Sequence, residues 1–130
     1  MIRPTTLEDT EAVLALAVAA GLAPPGETQP LAEVLAGSLS GRLGPDHLWF
    51  TDDDGGLGGV AYCAPERLTD GTWNLYMIAV HPARQGQGRG AALVRHVERE
   101  LAGRGARLLI VDTSGLPEFE RTRAFYRRCG

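Results

Sequence analysis

Three glycines alternate at positions 86, 88 and 90 in "HPARQGQGRGAALV" (residues 81–94), and an apolar-periodic run follows at once. Glycine loses more conformational entropy on folding than any other residue, so a cluster of it has a cause. One cause is an awkward turn from a strand into a helix. The other is an anion brought close to the main chain, because a helix start offers unpaired N–H groups and a partial positive charge. Arg84 and Arg89 add local positive charge to a chain whose formal net charge is −3. The helix dipole alone contributes ~0.3–2 kcal/mol to anion binding, and each charge-assisted hydrogen bond adds ~1.5–3 kcal/mol. On spacing alone the turn and the anion site account for the glycines equally well.

The spacing narrows the anion. A nucleoside triphosphatase loop carries Lys-Ser/Thr after its last glycine, whereas Ala91 and Ala92 follow Gly90 here. A dinucleotide fold places G-x-G-x-x-G after its first strand, with an acidic residue ~20 positions on. This loop lies in the second half of the chain with a different spacing, although Asp112 stands near the expected distance. That alternative is weakened and stays open.

Other reactive side chains read more plainly. Cys63 and Cys129 show no metal or redox spacing, and Cys63 sits in an apolar run, the setting of a buried thiol in a reducing, cytoplasmic protein. His47 and His96 have no ligand spacing. Asp52, Asp53, Asp54 and Asp70 suit turns and solvated surface better than capture of a cationic amine. Trp49 and Trp73 suit strand packing. The acidic balance points to neither nucleic acid nor a membrane surface. The N-terminus lacks the apolar stretch of a signal peptide, and no apolar run is long enough to span a bilayer. All 13 basic residues are arginine, as in a GC-rich, bacterial coding sequence.

The elements that must position the loop follow from periodicity. "MIRP" predicts a short strand. A helix follows over "TLEDTEAVLALAVAAGL", with Thr6 as N-cap, an apolar stripe of Leu7, Val13, Leu14 and Ala17, and Gly21 as its stop. A weaker helix begins near Leu31. "HLWFT" and "GGVAYCA" flank "DDDGG", a hairpin signature. "GTWNLYMIAV" is a third long strand. The glycine loop then leads into a helix from about 88 to 104, with Leu93, Val94, Val97 and Leu101 on one face. "RLLIV" reads as a strand buried on both faces in a parallel pairing. "PEFERTRAFYRRCG" is a last helix with Pro117 at its start. The order β-α-α-β-β-β-α-β-α gives an antiparallel meander followed by a right-handed parallel crossover. Its length suits one domain over 1–130.

At these residues a resemblance emerges. "LYMIAVHPARQGQGRGAALVRHVE" resembles the acetyl-CoA signature of the GNAT superfamily of N-acetyltransferases: Gln85, Gly88 and Gly90 match its Gln/Arg-x-x-Gly-x-Gly/Ala core, and Val80 and Pro82 match the step before it. "RTRAFYRRCG" is similar to the family's late helix and "MIRPTTLEDTEAVLAL" to its opening. The resemblance implies a mixed α/β (α+β) fold: a mostly antiparallel central sheet with a splayed parallel pair of strands, flanked by helices. It implies acetyl-CoA as cosubstrate and an amine as acceptor. The amides of Gln85, Gly86, Gln87, Gly88, Arg89, Gly90 and Ala91 would hold the CoA pyrophosphate. The backbone of Ile78, Ala79 and Val80 would pair with the pantetheine arm, one amide polarising the thioester carbonyl. Thr113 and Ser114 would contact the pantetheine, and Tyr126 would protonate the departing thiolate.

Two departures bear on function. Many relatives carry a glutamate on the strand before the loop; that place falls near Asn74, and asparagine takes no proton at neutral pH. Glu66, Asp112, Glu118 and His81 are the other candidates for a base, directly or through water. The base matters by substrate: deprotonating a lysine-like amine at pH 7 costs ~4.6 kcal/mol, an α-amine ~1.4 kcal/mol. The family also continues past the position of Gly130 with a final β-hairpin. The expectation is a domain lacking those strands, whose "RLLIV" edge is open or is completed by a second copy in a homodimer. The competing functions are a catalytically silent CoA-binding regulator and, from the glycine loop alone, a dinucleotide-binding oxidoreductase.

Overall fold

The computed structural model of the chain describes residues 1–65, 71–106 and 108–111. Five strands form one sheet in the order of the chain: β1 (Ile2–Pro4), β2 (Leu48–Asp53), β3 (Leu57–Pro65), β4 (Thr72–Val80) and β5 (Leu108–Val111). The first four pair antiparallel and β5 runs parallel to β4. Two helices, α1 (Thr10–Ala19) and α2 (Gln29–Leu39), precede β2, and α3 (Arg89–Ala102) makes the crossover from β4 to β5. This mixed α/β sheet matches the expected element order as far as β5. The last predicted helix, with Thr113, Ser114 and Tyr126, lies outside the described residues.

Strand residues point alternately to the two faces, and both faces are covered. On one face Phe50, Ala61, Cys63, Trp73 and Leu75 pack against Leu93, Val94, Val97 and Leu101 of α3. On the other, Trp49, Val60 and Ala79 pack against Val13 and Leu16 of α1 and Leu35 of α2. The stripe expected on α3 is therefore its buried face.

The first helix departs from expectation. The Asp9 carboxylate accepts from the Thr6 amide at 2.8 Å and bonds the Arg3 guanidinium at 2.8 and 2.9 Å. That closure makes Leu7–Asp9 a separate 3-10 turn, and α1 begins only at Thr10. The tighter turn rotates Leu7 out of the stripe and leaves it 60% exposed, while Val13, Leu16 and Ala17 carry the buried face.

Two irregularities shape the sheet. Tyr62 pairs with Met77 but Cys63 pairs with Leu75, so Tyr76 is an extra residue in β4. Such a bulge bends a strand and re-aims its side chains. The parallel register of β4 with β5 runs from Thr72↔Leu108 to Leu75↔Val111. The C-terminal half of β4 thus runs on past its described pairing with β5.

Candidate active site

The glycine loop joins the C-terminus of β4 to α3. Pro82–Arg84 form a 3-10 turn, in which the His81 ring accepts from the Ala83 amide at 3.1 Å. The Gln85 side chain reaches back and donates to the Val80 carbonyl at 3.1 Å. Gly86 and Gly88 take φ of +81° and +77°, left-handed conformations that favour glycine. Gly88 is the N-cap of α3, and its carbonyl receives the first helical bond from Ala92. The amides of Gly86, Gln87, Gly88, Arg89 and Gly90 have no hydrogen-bond partner among the described residues. Five consecutive donors lead into the positive end of a helix, the chemistry that receives a phosphate. The Gln85 amide makes only a long contact, 3.5 Å, to Pro82. Ala91 lies in the first turn of α3.

The neighbouring edge of β4 is equally defined. The His81 amide donates to the Gly58 carbonyl at 2.9 Å. Bonding alternates along an antiparallel pair, so Ala79 and Met77 also turn their backbone groups to β3. Ile78 and Val80 turn theirs to the opposite edge, where the described β5 has ended. For Ala79 the structure differs from the expectation of a backbone contact to pantetheine: its amide faces β3, and it spaces the two residues that face outward.

Arg89 also differs from a simple anion ligand. Its guanidinium bonds Asp52 at 3.0 Å and Asp54 at 2.7 Å, which raises the Arg89 pKa and lowers that of Asp54. Its amide, not its side-chain charge, faces the loop. The hairpin aspartates are neither free surface nor an amine trap: Asp52 is buried and also meets the N-terminal amine at 3.4 Å, and Asp53 bonds Arg3. They fasten β1, the hairpin and the head of α3 together.

Asn74 is only 7% exposed, in register between Ala64 and Ile110. It lies in β4 two residues before the bulge. Glu66, Asp70, Asp112 and Glu118 lie outside the described residues. Cys63 is fully buried, and burial pushes its thiol up to about 12, which leaves it a core residue. Trp49 and Trp73 are core as well. Among the described residues no group of three or more His, Cys, Asp and Glu is placed to hold a metal ion, and no helix is long and apolar enough to cross a membrane.

One cluster went unread in the sequence. His47 Nδ1 and the Tyr62 hydroxyl lie 2.6 Å apart, and Tyr62 stacks on Trp49 with ring centroids at 4.5 Å. Tyr76, thrown out by the bulge, meets Tyr62 at 5.7 Å. Burial raises the Tyr62 pKa above its ordinary value. His47, Tyr62 and Tyr76 line a cleft of about 590 Å³.

Comparison with known proteins places this architecture. The family model described as an acetyltransferase (GNAT) domain matches residues 44–130. The chain belongs to the GNAT acetyltransferase family. A solved GNAT-family acetyltransferase of Desulfovibrio desulfuricans is 32% identical over the whole of this chain and 83% of its own, with a TM-score of 0.85. A GNAT-family acetyltransferase of Brucella melitensis, solved in complex with acetyl-CoA, is 25% identical over 93% of this chain and 79% of its own, at TM-score 0.68. The ribosomal-protein-S18-alanine N-acetyltransferase of Escherichia coli is 26% identical over the whole chain and 76% of its own, at TM-score 0.73. Comparison with curated proteins found no match. Acetyl-CoA is thus the cosubstrate of this GNAT domain, and the dinucleotide-binding alternative falls with the antiparallel meander of its sheet.

Proposed function

We propose that this GNAT domain transfers the acetyl group of acetyl-CoA directly to a primary amine of a small molecule or peptide. The observation that carries the reading is the pairing of two features: five unpartnered amides from Gly86 to Gly90, and the outward-facing backbone of Ile78 and Val80 beside them. The first suits a pyrophosphate; the second suits an extended arm that adds to the strand as a β-ladder does. An outward amide there is fixed before the reaction, so it stabilises a developing oxyanion with little reorganisation.

In this reaction the neutral amine attacks the thioester carbonyl. The C–N bond forms, the C–S bond breaks, and CoA leaves as its thiolate. Asn74 takes no proton, so it does not serve as the base. The amine proton leaves to water or to a group at the cleft. Tyr126 is the proton source for the thiolate by resemblance, and Thr113 and Ser114 are contacts of the pantetheine on the same ground.

The second reading, a CoA-binding domain without turnover, draws on the buried Asn74 where relatives carry a carboxylate. Thermal unfolding separates binding from its absence: acetyl-CoA at ~100 times its Kd adds about 2.7 kcal/mol by linkage. A shift with acetyl-CoA and none with NAD is expected. Thiol release over an amine panel, compared with Tyr126→Phe, then separates turnover from binding. A shift without release for any amine favours the silent domain; no shift with acetyl-CoA overturns both.

A further inference from the structure

The bulge at Tyr76 has a consequence for the acceptor. Tyr76 stands in the interior of a central strand, between Leu75, which is buried, and Met77, yet it is 49% exposed. In a regular strand Met77 would face away from Tyr76. The bulge places both on the face of α1 and α2, where Met77 packs with Tyr62 and Tyr76 meets the Tyr62 ring. Tyr76 also follows Leu75, the last β4 residue in described register with β5, and precedes Ile78 by two positions. It therefore stands just past the described pairing with β5, two residues before the backbone groups that the proposed function gives to the thioester arm.

The cleft it lines has the size of a small-molecule site. One wall is a run of rings. Trp49 lies nearly parallel to Tyr62, Tyr62 leans on Tyr76, and His47 stacks on Tyr62 at 5.9 Å while its Nδ1 holds the Tyr62 hydroxyl. Trp49 is buried, so the wall is backed by the core and its rings are held in place. Val34 of α2 and Leu43 also line it. Among the described lining residues the one carboxylate is Asp46, half exposed and 3.8 Å from the Arg104 guanidinium, and none is an arginine. A flat ring finds a stacking wall, and an ammonium finds ring faces.

We infer that this cleft is the acceptor site and that it selects an amine borne on a flat aromatic group, with Tyr76 as the platform on which that group stacks. The inference rests on the transferase reading for its chemistry, but its binding test does not require turnover. Phenethylamine, 2-cyclohexylethylamine and butylamine are titrated calorimetrically into the protein, with and without saturating CoA. The three share a primary amine; the first has a flat ring, the second the same bulk without a flat face, the third neither. Phenethylamine is expected to bind about tenfold more tightly than either of the others. Tyr76→Ala abolishes that preference and Tyr76→Phe keeps it, because the phenyl face is retained. Leu43→Arg, which brings a cation to the lining, weakens binding of all three amines. The acetyl-CoA thermal shift of each variant serves as the check on folding.

Equal affinity for the three amines overturns the inference, as does a phenethylamine preference that survives Tyr76→Ala or amine binding that is unchanged in Leu43→Arg. The transferase reading fails separately: in that case acetyl-CoA gives no shift, or no thiol is released, while the amine preference and its loss in Tyr76→Ala persist.

Discussion

The Arg89 guanidinium lies 3.0 Å from the buried carboxylate of Asp52, joining the first residue of α3 to the β2–β3 hairpin. Asp52 also faces the α-amino group of Met1 at 3.4 Å, so one carboxylate serves two cations from distant parts of the chain. Asp52→Ala is expected to lower unfolding free energy by about 1–3 kcal/mol, because both charge-assisted donors lose their buried acceptor. Urea unfolding measures it. Asp54→Ala removes an exposed partner of the same arginine and shifts the midpoint less. A double-mutant cycle of Asp52→Ala with Arg89→Ala should be non-additive; strict additivity would mean the contact carries no energy.

Gly88 separates strain from ligand binding. At φ +77° an added methyl meets nothing within 4 Å, so Gly88→Ala suffers from backbone conformation alone, about 1–2 kcal/mol. Gly21 has the same environment at φ +80°, at the end of α1 and away from the loop. Both alanine variants should unfold at lower urea by similar amounts. Only Gly88→Ala should also lose stabilisation by acetyl-CoA, since its strain is relieved by turning amides of the proposed cradle. Equal loss of the ligand shift in Gly21→Ala would remove the loop from the CoA site.

What could be read in advance follows the range of the forces involved. Periodicity is local, so the element order and the buried face of α3 were legible in apolar spacing, and the glycine loop stood out as a backbone-level motif. The ring wall was half legible: a hairpin centred on Gly55 and Gly56 sets Trp49 opposite Tyr62, as the structure has it. Tyr76 was not, because an extra residue in β4 shifts every following side chain to the other face, and no residue in "NLYM" announces it. Arg89 was assigned by its place in a motif, but two carboxylates more than thirty residues earlier decide where its charge points. The Leu7 stripe failed for the same kind of reason, since Arg3 and Thr6 together fix Asp9 and tighten the turn.

Cys63 provides a probe of opening. Its thiol is pushed up to about 12 by burial between β3 and α3, so the reactive thiolate is scarce at pH 8 even before access is considered. In a Cys129→Ser background, labelling by a disulfide reagent should be slow and should accelerate with urea in step with unfolding. Rapid labelling of the native protein would mean that α3 lifts from β3 without global unfolding.

Acid sensitivity should report on the turn that displaces α1. Asp9 accepts from both Arg3 nitrogens and from the Thr6 amide, and these bonds hold its carboxyl well below the ordinary value of 3.8. A carboxyl with a depressed folded-state pKa binds its proton more readily in the unfolded chain. Its stabilisation is therefore complete above about pH 5 and is lost as pH falls toward the folded value. Asp9→Asn should cost about 1–3 kcal/mol at neutral pH, with Arg3 left without its main acceptor. The gap between wild type and Asp9→Asn should stay constant from neutral pH to about pH 5 and narrow on further acidification. Urea titrations of both proteins over that range measure it. A gap that is unchanged in acid would show that Asp9 acts through packing and shape rather than through its charge.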